Sequence, residues 1–126
     1  MADILMGKVY WSLGNKKYDS YNEFVKDVTD YNNNISSKGH EWNPEKIIIN
    51  GPEIIASYEA LWKDEDDVLE IMIDAENKSG ISMGEILFKI NNQSIEFFSE
   101  ASFFFEGLRK INNDSQIPMY EILIGT

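Results

Sequence analysis

Ile54-Ile55-Ala56-Ser57-Tyr58-Glu59-Ala60-Leu61-Trp62, joined through Lys63-Asp64-Glu65-Asp66-Asp67 to Val68-Leu69-Glu70-Ile71-Met72-Ile73-Asp74, is the stretch whose periodicity decides the fold. In the first run Ile54, Ala56, Tyr58, Ala60 and Trp62 fall at every second position, the repeat of a strand rather than a helix. In the second, Leu69, Ile71 and Ile73 alternate with Val68, Glu70, Met72 and Asp74. Two half-buried strands joined by a charged turn read as an antiparallel meander with one face on a core and the other towards water.

Working outward, Asn77-Lys78-Ser79-Gly80 breaks the sheet pattern. Ser82-Met83-Gly84-Glu85 then matches a capping box, in which a serine and a glutamate three residues on satisfy each other's free backbone amides. The stripe Ile86, Leu87, Ile90, Ser94 and Phe97 predicts a helix from about Met83. Phe103 to Ile111 and Pro118 to Ile124 read as strands, separated by Asn112-Asn113-Asp114. On the other side, Lys46-Ile47-Ile48-Ile49 reads as a short buried strand, and Asn50-Gly51-Pro52 can turn it into a hairpin with the Ile54 run. A second capping box, Ser20-Tyr21-Asn22-Glu23, opens a helix with the stripe Phe24, Val28, Tyr31 and Ile35. Leu5 to Leu13 reads as a first strand, ended by Gly14-Asn15. The order β-α-β-β-β-α-β-β, without repeat or linker, predicts a single α+β domain over residues 1–126. Its largely antiparallel sheet carries two helices on one face. No series of parallel βαβ units is visible, so a doubly wound sheet ranks below this reading.

A chain of 126 residues that is 43% hydrophobic and 13% aromatic has material for one core; about two-thirds of the unfolded surface is buried at this size. It has no cysteine, which excludes disulfides, thiolate zinc sites and cysteine nucleophiles. That composition, an N-terminus without a basic region and the lack of roughly 20 consecutive apolar residues lead to the expectation of a cytoplasmic protein. With 22 acidic residues against 11 basic ones, the net charge of −11 argues against nucleic acid and anionic membranes as partners. It serves solubility, the steering of a cationic partner, or both.

The one histidine, His40, lies in a loop where no sequence signal supplies a catalytic partner, and it reads as a surface residue. Asp64, Glu65, Asp66, Asp67, Glu70, Asp74 and Glu76 place seven acids in thirteen residues without a base. Three readings follow: a hydrated turn that protects a strand edge, a docking surface for a basic partner, or a hard-cation or carboxylate catalytic site. An EF-hand register is absent, and neither a metal nor another cofactor is expected. Gly80-Ile81-Ser82-Met83-Gly84 precedes a helix, where anions bind, but it lacks the Walker pattern and has acidic surroundings. Phe103-Phe104-Phe105 fits core packing better than a membrane wedge, because neighbouring residues on a strand point to opposite faces.

Gly84-Glu85-Ile86-Leu87-Phe88-Lys89-Ile90-Asn91-Asn92, with Phe104-Phe105-Glu106-Gly107-Leu108 and the closing Ile124-Gly125-Thr126, resembles small bacterial immunity proteins of polymorphic or contact-dependent-inhibition toxin systems. The resemblance implies a non-enzymatic inhibitor that neutralises a cognate basic toxin domain, often a nuclease, by occlusion. Resemblance and charge together select Asp64, Glu65, Asp66, Asp67, Glu70 and Asp74 as the electrostatic surface. The rival reading is a homodimeric interaction module that uses the uncovered sheet face at Ile55, Leu61 and Met72. An enzyme would instead require a closed pocket holding a carboxylate of raised pKa.

Overall fold

The structure, a computed structural model, describes residues 4–13, 16–35, 39–60, 67–76, 79–95, 97, 103–111 and 116–125. Its elements in chain order are β1 (Ile4–Leu5), β2 (Ser12–Leu13), α1 (Tyr21–Ile35), β3 (Ile47–Ile49), β4 (Glu53–Ala60), β5 (Asp67–Asp74), β6 (Ile81–Ser82), α2 (Met83–Gln93), β7 (Phe103–Ile111) and β8 (Met119–Gly125). The fold is α+β, with a mostly antiparallel sheet that does not close into a barrel.

The β4–β5 meander forms in the register its alternation predicts, from Glu53 opposite Asp74 to Ala60 opposite Asp67. Ile54, Ala56, Ile71 and Ile73 are fully buried, whereas Val68 and Met72 are exposed. Beyond the meander the sheet runs β5-β4-β8-β7, and both β1 and β2 pair with β7. β8 lies parallel to β4, with Ile55 opposite Met119, and antiparallel to β7. The C-terminal strand thus enters between two strands distant in sequence, an order that strand patterning does not specify.

The expected first strand is two short pieces. Between them Met6 adopts a positive φ of 60° and the Val9 N–H closes a turn on the Met6 carbonyl at 3.1 Å. The partner strand is irregular at the matching place. The β7–β8 register slips between Phe105 and Gly107, and Gly107 has φ 127°. A Cβ there would come within 2.8 Å of the Leu5 carbonyl and the Ile4 side chain, so glycine is what allows β1 to approach the bulge.

The Ile47–Ile49 strand forms but does not turn back on β4. It pairs with β6, a two-residue strand that sequence reading placed in a loop, and the two make a separate ribbon. The ribbon serves α2. Met83 N–H donates to the Lys46 carbonyl at 2.9 Å and Gly84 N–H to the Pro44 carbonyl at 3.0 Å. Glu85 N–H donates to Ser82 Oγ at 3.2 Å, and the Glu85 carboxylate accepts the Ser82 N–H at 2.7 Å. The predicted capping box is therefore complete, and the first N–H groups of α2 are used within the protein.

α1 starts where its capping box predicts, with Glu23 N–H donating to Ser20 Oγ at 3.2 Å. Phe24 and Val28 enter the core, and Tyr31 packs against it half-buried, but Ile35 at the end of the stripe is exposed. Trp11 is the hub of an aromatic cluster, with Phe24 and Tyr31 each at 5.5 Å in edge-to-face geometry. Both helices contribute to the one core cluster that covers the inner face of the sheet.

Candidate functional site

Tyr21 opens α1 and Gly84 lies in the first turn of α2. A Cβ at Gly84 would overlap the Tyr21 hydroxyl and lie 3.0 Å from both Pro44 Cβ and the Pro44 carbonyl. That close approach brings the start of α1, the segment before β3 and the start of α2 together around a cleft of about 450 Å³. Its apolar lining comes from Tyr21, Pro44, Ile47 and Phe88, the two rings meeting edge to face at 5.4 Å. Its polar lining is dominated by carboxylates from three parts of the chain: Glu45 before β3, Asp74 and Glu76 at the end of β5, and Glu85 on α2, with Lys89 beside them.

The electrostatics of the cleft are visible at the Tyr21 hydroxyl. Its pKa is raised, first by burial and then by the negative charges of Glu85, Glu45 and Glu76, against the lowering effect of its hydrogen bond with Ser82. Carboxylates far apart in sequence therefore act on one point. Glu85 is held there because its Oε1 accepts the Glu76 N–H at 3.2 Å while Oε2 completes the capping box. On the adjacent sheet edge Glu53 faces Asp74 directly across the β4–β5 pair, an opposition of like charges that destabilises the pair.

Of the residues selected from sequence, Asp64, Glu65 and Asp66 lie outside the described residues. Asp67 begins β5 and Asp74 ends it, which separates them by about 23 Å at the rise of a strand. Glu70, between them, is exposed on the outer sheet face opposite Ser57. From Asp67 to Asp74 the acidic run is thus drawn out along an edge strand, and Asp74 at its end lines the cleft. Tyr21, Glu45, Glu76 and Glu85 lie outside the six residues selected from sequence, although Glu76 belongs to the same acidic stretch. The signal available for Glu85 was its capping-box position, which orients its carboxylate; nothing in sequence links Glu45 to it.

His40 accepts the Trp42 N–H through Nδ1 at 3.2 Å and pairs through Nε2 with Asn33 Oδ1 at 2.9 Å, so the ring tethers its loop to the end of α1. Because Met83, Gly84 and Glu85 N–H groups are already bonded, the start of α2 has no free amides for an anion. Among the described residues no three His or carboxylate side chains gather closely enough to hold a metal ion. No helix among them is long and apolar enough to cross a membrane. Comparison with protein-family models, with curated proteins and with solved structures finds no match to this chain.

Proposed function

We propose that this chain is a non-enzymatic immunity protein that acts in the cytoplasm, where it binds a basic bacterial toxin domain, such as a nuclease, and neutralises it by occlusion. The observation that carries the reading is the cleft around Tyr21, where Glu45, Asp74, Glu76 and Glu85 surround an apolar floor. Such a cleft receives a basic side chain by charge while its methylene stem covers Tyr21, Ile47 and Phe88. The net charge of −11 supports the same partner at longer range by steering its approach. The resemblance of Gly84–Asn92 and Phe104–Leu108 to immunity proteins supports the class.

The test is capture from the source cells with this protein as bait, elution in a salt gradient, and association kinetics with whatever basic domain is recovered. Replacing Glu45, Asp74 and Glu76 together by Gln, Asn and Gln is expected to slow association about tenfold and to flatten its salt dependence. An unchanged on-rate and salt slope would remove the cleft from the docking surface.

A second reading has its own observation. Ile55 and Met72 are paired on the outer sheet face, and Val68 and Met72 on that face are 51% and 45% exposed. A homodimer would cover them. Molar mass that rises with concentration and is held at the monomer value by Met72→Lys would favour it over the inhibitor.

A further inference from the structure

We infer that a second cleft, between the last turn of α1 and the start of β7, binds the guanidinium group of an arginine side chain presented by another polypeptide. The cleft measures about 360 Å³, and Tyr10, Trp11, Tyr31 and Phe104 line it together with Ile35 and Glu106. It lies some ten residues along α1 from Tyr21, about 15 Å at the helical rise, so it is separate from the acidic cleft and does not rest on that reading.

Four features of this cleft favour a cation, and arginine in particular. Trp11 and Tyr31 meet at 74°, so two rings form a corner, and aromatic rings attract a cation held over their faces. The last turn of α1 carries the partial negative charge of its carbonyls, and it contains no basic residue to offset it. Glu106 supplies a full negative charge. Its carboxylate lies over Gly125 on the neighbouring strand, where any Cβ would displace it. Among the residues that line the cleft, none is Lys or Arg.

The mouth is apolar, with Ile35 52% and Phe104 46% exposed. An arginine fits this combination better than a compact ammonium does. Its planar, weakly hydrated group stacks on rings and bonds a carboxylate in a fixed fork, while its stem covers the two exposed side chains.

The experiment is an NMR titration of the full chain with N-acetyl-arginine amide, with N-acetyl-citrulline amide as a neutral probe of nearly the same shape. The Trp11 indole N–H, which donates to Asn91 Oδ1 at 3.0 Å, reports from the cleft wall. Saturable shifts at Trp11, Tyr31 and Phe104 are expected, with the citrulline probe bound at least about threefold more weakly. Phe104→Ala and Glu106→Gln should each weaken arginine binding by about the same factor. Both side chains are exposed, so their melting temperatures should stay at the wild-type value, which separates lost binding from lost fold. Equal response to both probes, shifts centred on Tyr21 and Glu85, or binding indifferent to both variants would overturn the assignment.

Discussion

Asn32 is fully buried in the last turn of α1, four residues on from Val28, where the helical stripe leaves room for an apolar residue. Its side chain accepts the Tyr10 N–H at 2.8 Å and donates to the Tyr10 carbonyl at 2.9 Å, standing in for a neighbouring strand. Asn92 holds Tyr18 in the same two-point manner, at 2.9 and 2.8 Å, and Asn91 bonds both the Trp11 indole and the Lys16 carbonyl. Three asparagines on two helices therefore bond the backbone at Tyr10, before β2, and at Lys16 and Tyr18, after it. Asn32→Ala leaves both polar groups of Tyr10 unmet. It is expected to cost about 2 kcal/mol or more and to lower the melting temperature by about 8 °C, readable by thermal denaturation.

Tyrosines give the second prediction at this scale. Tyr18 is raised in pKa by burial and by its 2.7 Å hydrogen bond to Asp27, Tyr21 by burial and nearby carboxylates, and Tyr120 by burial. The folded state keeps these protons after the unfolded chain has begun to lose them. Stability should thus be constant up to about pH 10 and fall as pH rises further through the folded values. Denaturant midpoints measured from pH 8 to 12 should show this fall, and Tyr18→Phe should make it shallower. None of this was legible in sequence, because an asparagine or tyrosine on a stripe does not announce its partner.

At the scale of elements, both helices were legible because each start is fixed by bonds between residues three apart. Ser82→Ala removes one half of the α2 box and should destabilise the protein by about 1 kcal/mol. Gly84→Ala tests the joint between the helices. A Cβ there overlaps the Tyr21 hydroxyl and crowds Pro44, which should outweigh the gain in helix propensity and cost about 1 kcal/mol or more. Adding Tyr21→Phe removes the overlapping oxygen, so the double variant should recover part of the loss in the same denaturation assay. A double variant no better than Gly84→Ala would place the conflict at Pro44 instead. Local patterning predicts a continuous first strand and carries no sign of the break, which lies against the irregularity at Gly107, a hundred residues away in sequence. β6 was missed for a related reason: two residues carry no periodicity, and only β3 beside them makes a ribbon.

For the whole molecule, the charge of −11 is carried on a chain small enough for its acidic groups to repel one another. Raising NaCl from about 0.02 to 0.5 M should therefore raise the melting temperature by a few degrees through screening. The same salt should weaken capture of a basic partner, so the two effects move in opposite directions. A melting temperature that falls with added salt would mean that attractive ion pairs, of which Arg109–Glu121 is one, outweigh the repulsion.

The sequence by itself determined the α+β class, the β4–β5 meander, the starts of both helices and the acidic character, since each depends on residues near one another in the chain or on composition alone. The tertiary structure decided the strand order, the break in the first strand, the asparagine clamps and both clefts. These depend on pairs such as Tyr21 with Gly84, Asn32 with Tyr10 and Glu45 with Glu85, brought together only when burial of a shared core fixes where distant segments lie.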